Sequence, residues 1–267
     1  MNKDYALLIV IVVVKKTVRY TNVFSYNHLY QPECFYEKRY NHPILNDGYL
    51  IYGHQFLKER HPMLVDNKLT EYLAKAAAGT AAPGGGSVAA LNAALAASLT
   101  EMVANLTVGK KSYQAVEIEM KALAAEASQL RNKLTAAIDQ DADAYTAVMA
   151  AYKLPKATDA EVAQRDQKIQ DAIKQAALVP LAVARDALAV IDLADRAIRK
   201  GNKNAASDGA VAAMNARTAA LAAIYNVKIN LSSIEDDDFV NELAQEVEEL
   251  QNRVIEKESE VLSHVTI

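Results

Sequence analysis

The chain has 267 residues, of which 51% are hydrophobic and 23% charged, and its formal net charge is −4. A chain of that length buries a sizeable core without disulfides or a structural metal, and that composition excludes a disordered polypeptide. The single cysteine, Cys34, excludes an internal disulfide framework and any CxxC zinc or redox site, and the mild negative charge argues against a nucleic-acid partner.

Composition changes abruptly near Met63. Residues 1–62 hold 8 of the 13 tyrosines, 3 of the 4 phenylalanines, 4 of the 5 histidines and one alanine, whereas residues 63–267 hold 48 alanines. The first part carries net charge +3 and the second −7. Three readings compete for residues 1–62. The apolar run Ala6–Val14, followed by Lys15 and Lys16, suggests an anchor or signal, but it is too short to span a bilayer and no small-residue cleavage site follows it. A small accessory domain would show a sustained helical or alternating period, which is missing beyond Tyr20. The third reading is an over-extended gene start: Lys58-Glu59-Arg60 is encodable by a purine-rich, ribosome-binding-site-like stretch just before Met63. Residues 63–267 are therefore expected to be the functional domain.

From Met63 on, helix formers dominate and apolar residues recur at three- and four-residue steps. A first helix is expected over Leu69–Ala78, stopped by Gly79. Ser87–Thr107, apolar all round apart from Glu101, reads as a buried helix whose alanines admit close neighbours. Tyr113–Tyr152 reads as one long helix or two, with Leu123, Leu130, Leu134, Ile138, Tyr145 and Val148 facing inward. Pro155 ends it. Thr158 or Asp159 caps the next helix, which runs to about Lys200 with a kink expected at Pro180. Gly201–Asn204 is a turn, Ala205–Tyr225 a further helix, and Asn226–Ser233 is expected to be extended. Asp236–Ser263 closes the chain as a helix with a stripe of Val240, Leu243, Val247, Leu250, Val254 and Val261. Lys257 interrupts that stripe, which fits intramolecular packing or a short partner-helix seam. The fold class is all-α, a single-domain bundle of five to seven helices.

Between Met63 and Ser263 there is no His, Cys or Trp, which excludes Ser–His and Cys–His triads and imidazole-ligated zinc from this stretch. Asp, Glu, Lys, Tyr, Ser and backbone amides remain. Pro83-Gly84-Gly85-Gly86-Ser87 precedes the buried helix. It is either a ligand-approaching loop with free helix-start amides or a hinge with Ser87 as a plain cap. Lys110 and Lys111 stand at the far end of that helix, where the helix dipole also explains them. Asp139, Asp141 and Asp143 are spaced about 200° apart round a helix, so a solvated face is expected for at least two. Asn202, Asn204, Ser207 and Asp208 open an apolar helix, and capping accounts for one or two of the four.

These blocks carry a resemblance. Ala82–Ala90 (APGGGSVAA) and Met102–Lys111 (MVANLTVGKK) are similar to the cyclodeaminase/cyclohydrolase family of folate enzymes, and further matches follow in order. They are Asp139–Tyr145, Leu154-Pro155-Lys156, Val179-Pro180-Leu181, Gly201–Asp208 and Asn226–Leu231. The resemblance covers about Leu69 to Leu250 and none of residues 1–62. It implies a homodimer with a folate cleft near the interface, and the composition with its short apolar run reads as cytoplasmic. The implied reaction is conversion of formiminotetrahydrofolate to methenyltetrahydrofolate and ammonia, which we take as the expectation, or hydrolysis of methenyltetrahydrofolate to formyltetrahydrofolate. Either proceeds without metal or further cofactor, the tetrahydrofolate derivative being the substrate. Under it, Asp141, Asp208 and Lys110 are the catalytic candidates, with Asp141 or Asp208 serving as base and then acid, and Lys110, Lys111 or Lys203 meets the glutamate carboxylates. Pro83, Gly84, Gly85, Gly86 and Ser87 hold the tail or the pterin, and Asn202, Asn204, Ser207 and Asp208 pair with polar groups of the substrate. A non-catalytic helical scaffold is the alternative, with no nucleic acid and no membrane as partner in either case.

Overall fold

Residues 63–266 are described by a computed structural model, and the readings for residues 1–62 lie outside the described residues. The helix-forming sequence becomes six α-helices: α1 (Leu69–Ala76), α2 (Gly85–Asn105), α3 (Glu117–Tyr152), α4 (Asp159–Lys200), α5 (Ala206–Leu231) and α6 (Asp237–Ser263). Short 3-10 turns occupy Leu64–Asp66, Lys111–Val116 and Lys203–Ala205, and there is no strand among the described residues. The bundle is thus all-α, with a helix count inside the expected range.

Local chemistry sets the ends. Thr158 Oγ1 accepts from the Glu161 N–H at 3.3 Å while the Glu161 carboxylate accepts from the Thr158 N–H at 3.0 Å, a reciprocal cap that starts α4. The Asp236 carboxylate accepts from the Phe239 N–H at 3.1 Å and starts α6.

Cross-helix pairs give the directions. Ser87 meets Asp141 and Glu101 meets Arg131, so α2 and α3 run antiparallel. Lys133 meets Asp186 and Lys200 meets Glu119, which makes α3 and α4 antiparallel. Lys174–Asp236 and Arg185–Glu246 make α4 and α6 parallel. Ala89, Ala93 and Ala96 of α2 and Ala212, Ala216 and Ala219 of α5 are fully buried, so these helices approach closely at the centre. By length and composition α2 is apolar enough to cross a membrane, but more than half of its apolar window is buried inside the bundle.

α4 continues through Pro180, which is buried. Proline leaves the carbonyl four residues back without its helical donor. Here the Asn230 amide donates to Ala176 O at 3.0 Å and fills that gap from α5. The α6 stripe packs within the molecule: Leu243, Val247, Leu250, Val254 and Val261 are all buried, and Lys257 instead reaches the carboxylates of Asp195 and Asp192 on α4, each at 3.8 Å.

Two expectations fail. Asn226–Ser233 is not extended, because α5 runs on to Leu231. Val227, Ile229 and Leu231 alternate like a strand, yet only Val227 and Leu231, one helical turn apart, are buried; Ile229 is exposed. Asn226 and Asn230 each donate to the carbonyl four residues back, at 2.8 and 2.9 Å, and so reinforce the helix. Tyr145 is 38% exposed rather than inward, although Leu123, Leu134 and Ile138 are buried. The start of α2 lies against Asp141, so Tyr145 is one turn past the end of its neighbour.

Candidate functional site

The glycine-rich segment is not a separate loop before the helix. Gly84 is the N-cap of α2, Gly85 and Gly86 form its first turn, and Ser87 is the third helical residue. Ser87 is fully buried and is not the plain cap of the hinge alternative. Its N–H donates to Asp141 Oδ2 at 2.8 Å, and its Oγ lies 3.0 Å from the same oxygen and 2.9 Å from Ile138 O. A carboxylate from α3 therefore occupies the amide end of α2, where the free N–H groups and the dipole favour an anion. Pro83 is buried directly before this turn.

Gly86 is what permits the approach. A Cβ on Gly86 would stand 2.0 Å from Asp141 Oδ1 and 2.5 Å from its Cγ. Gly85 faces α5, where a Cβ would lie 3.3 Å from the Asn226 amide nitrogen. Burial pushes the Asp141 carboxyl above the ordinary carboxylate range, and the two hydrogen bonds from Ser87 pull it partly back. The Ser87 hydroxyl suits either charge state. It donates to an ionised Asp141; beside a protonated Asp141 it accepts that proton's hydrogen bond and donates to Ile138 O. A carboxyl that can hold or release a proton without stranding a buried polar group is suited to act as base and then acid.

Asp139 is not on a solvated face. Its carboxylate accepts the N–H groups of Leu64 and Val65, pinning the segment before α1 to α3. Of the three aspartates only Asp143 is exposed, so a solvated face holds for one and not two.

The second group of predicted residues gathers elsewhere, where α2 ends and α5 begins. Thr107 Oγ1 accepts from the buried Asn202 N–H at 2.8 Å, and the Asn202 amide donates to Leu106 O at 3.2 Å. Asn202 Oδ1 accepts from the Asn204 N–H at 3.2 Å and caps the 3-10 turn, while the Lys203 N–H donates to the Tyr113 hydroxyl at 3.0 Å. Lys110, Lys111, Lys203, Asn204 and Ser207 are exposed around this junction, and Asp208 is half-buried in the first turn of α5. The three lysines make no ion pair among the described residues, which leaves them available to an anionic ligand. Replacing Thr107 by valine keeps the shape but strands the buried Asn202 N–H. It is expected to lower stability by about 1–3 kcal/mol, read from urea unfolding.

One chain therefore does not bring the predicted residues into one cleft. Ser87 and Thr107 are twenty residues apart, nearly all of them in α2, or about 30 Å at 1.5 Å per residue. Asp141 and Gly84–Ser87 stand at one end; Lys110, Lys111 and Asn202–Asp208 stand at the other. Tyr72 of α1 is a residue that sequence reasoning does not single out. It is buried, its hydroxyl has no hydrogen-bond partner among the described residues, and the Asp141 and Asp139 carboxylates add to burial in raising its pKa. No local motif marks it, since its neighbours in space lie some seventy residues along the chain. Two surface grooves of about 480 and 390 Å³ flank α4 and contain none of these residues.

A family model described as formiminotransferase-cyclodeaminase matches residues 68–249. A methenyltetrahydrofolate cyclohydrolase from Methylorubrum extorquens is 45% identical over 168 residues, covering 63% of this chain and 81% of that protein. A formimidoyltransferase-cyclodeaminase from Rattus norvegicus is 36% identical over 176 residues, but these are only 32% of its length against 66% of this chain. Among solved structures, a formiminotetrahydrofolate cyclodeaminase from Thermotoga maritima superposes with a TM-score of 0.67 at 32% identity, covering 75% of this chain and 96% of that one.

Proposed function

The chain belongs to the formiminotransferase-cyclodeaminase family, and on that footing we propose that it interconverts one-carbon forms of tetrahydrofolate with Asp141 as the proton-transferring group. The observation that carries this is the half-buried Asp141 carboxylate held by the buried Ser87 at the amide end of α2. Asp141 takes a proton from the attacking nucleophile as the tetrahedral carbon forms, then returns it to the departing nitrogen. In hydrolysis the nucleophile is water, the acceptor carbon is the methenyl carbon, and the ring C–N bond breaks to give the formyl derivative. In cyclodeamination the nucleophile is the bridging nitrogen, the carbon is the formimino carbon, and ammonia leaves. No further cofactor is assigned.

The sequence resemblance alone sets the deaminase as the expectation. The higher identity and the match over most of the length of a stand-alone cyclohydrolase favour the hydrolytic reading, whereas the Thermotoga chain of similar extent carries the deaminase name. Absorbance of methenyltetrahydrofolate separates them. Consumption of added methenyltetrahydrofolate faster than its spontaneous hydrolysis is the expected result. Its appearance from formiminotetrahydrofolate with ammonia release would establish the deaminase instead.

The working unit proposed is a homodimer whose site is shared. Support comes from the separation of the two clusters and from the exposed apolar stripes on α2 and α5. Val88, Leu95 and Met102 repeat every seven residues on α2, and Val211, Met214 and Ile229 are exposed on α5. An isologous pairing of these stripes about a two-fold axis across α2 sets the Asp141 end of one protomer beside the Asp208 end of its partner. Asp141→Asn and Asp208→Asn are each expected to be inactive alone. Coexpressed, they should recover about a quarter of wild-type turnover by random pairing, because each mixed dimer retains one intact site. Recovery of nothing, with mixed dimers present by mass, would place the site within one chain.

A further inference from the structure

We propose that Tyr72 is a catalytic residue of the folate reaction, its hydroxyl donating a hydrogen bond to the substrate atom on which Asp141 acts. The assignment rests on the proposed function. Tyr72 is 6% exposed, so its hydroxyl has left water, and yet no acceptor among the described residues takes its hydrogen. A buried donor without a partner is rare and is retained at a cost in stability. The obvious acceptors are near enough to act through space but do not close a bond. The Asp141 carboxylate is committed to Ser87 on one oxygen and pressed against Gly86 on the other, and Asp139 is held by the Leu64 and Val65 amides. The Tyr72 hydroxyl is thus a buried donor with its hydrogen uncommitted, and the Asp141 carboxylate that acts on it through space is the proton-accepting group beside it. A ligand atom that both accepts and releases a proton, such as the attacking water or a folate nitrogen, is complementary to that pair.

Burial and the two aspartates also keep the phenol protonated well beyond neutral pH, so it serves as a neutral donor and not as a base. It transfers no proton. It stabilises charge developing on the reacting atom, while Asp141 makes the transfer.

The test is Tyr72→Phe in the full chain. A merely structural tyrosine with an unpaired hydroxyl predicts a higher or unchanged melting temperature and unchanged turnover. The catalytic assignment predicts the same melting behaviour together with a fall in kcat of about 10²-fold and KM changed by less, as expected for a donor that acts in the transition state. Unchanged kcat overturns it. So does a lowered melting temperature, which would mean that the hydroxyl holds a bond in the resting protein. Wild-type turnover is measured first. If the wild type converts neither folate, the proposed function fails, and Tyr72 is then judged on tetrahydrofolate binding. There a tenfold weaker Kd in Tyr72→Phe upholds a ligand-contacting role, whereas an equal Kd, or no binding by the wild type, overturns it.

Discussion

Asp141→Asn is expected to lower kcat by about 10²- to 10⁴-fold, the range for loss of a positioned acid–base group, while making the protein more resistant to heat at neutral pH. The two effects share one cause. Asp141 has its pKa raised above the ordinary 3.8 by burial, and the Ser87 hydrogen bonds offset only part of that rise. Between 3.8 and the higher folded value the native state binds more protons than the unfolded one, so stability falls as pH rises through that window. The favourable contribution is fully present below about pH 3.8 and is lost once pH passes the folded pKa. Asparagine is neutral throughout, and its carbonyl oxygen still accepts the Ser87 N–H. The melting-temperature difference should therefore be largest at neutral pH and shrink toward zero as the pH drops below about 4. The pH–rate profile of the wild type should show an acidic limb displaced above the ordinary carboxylate range. A variant that kept near-normal turnover, or lost stability at neutral pH, would remove Asp141 from the role of base.

Much of the fold is readable along the chain because alanine-rich helices carry their own signals. Proline at 155, the Thr158–Glu161 cap and the asparagines after Gly201 mark ends that side-chain chemistry enforces locally. The misreadings have a different origin. Asn226–Leu231 looks extended because Val227, Ile229 and Leu231 alternate, but helical burial of Val227 and Leu231 against the core outweighs that local pattern. Ser87 and Asp139 read locally as a cap and a solvated carboxylate. Their partners, Asp141 and the Leu64–Val65 amides, are respectively 54 residues and about 75 residues away. Blocks shared with a family single out candidate residues without saying that α2 holds them apart at its two ends. Tyr72 has neither a motif nor an adjacent partner, so only its burial in the core and its unpaired hydroxyl bring it into view.

Gly86→Ala is expected to be as damaging to activity as removal of the carboxylate, and unlike that change it should also destabilise. Alanine is the better helix former by up to about 1 kcal/mol, and at an open position outside a helix it still stabilises by restricting the unfolded chain. A Cβ on Gly79 would meet no atom within 4 Å, and the backbone there is not left-handed, so Gly79→Ala should stabilise by about 0.4–1 kcal/mol. At Gly86 the new methyl group would stand 2.0, 2.5 and 2.8 Å from Asp141 Oδ1, Cγ and Oδ2. The short aspartate side chain has little room to yield while both its bonds to Ser87 persist. Displacing it strands the buried Ser87 N–H, and overpacking of this kind typically costs about 1–3 kcal/mol. The clash wins over the propensity gain, and kcat should fall with the displaced base. A double-mutant cycle isolates the cause. On an Asp141→Ala background the carboxylate is gone, so the stability penalty of Gly86→Ala should disappear or reverse. If the penalty persists there at full size, the glycine is needed for helix packing elsewhere and not to admit Asp141. If Gly86→Ala alone leaves both stability and turnover unchanged, the close approach of α3 to the amide end of α2 is not what shapes the site.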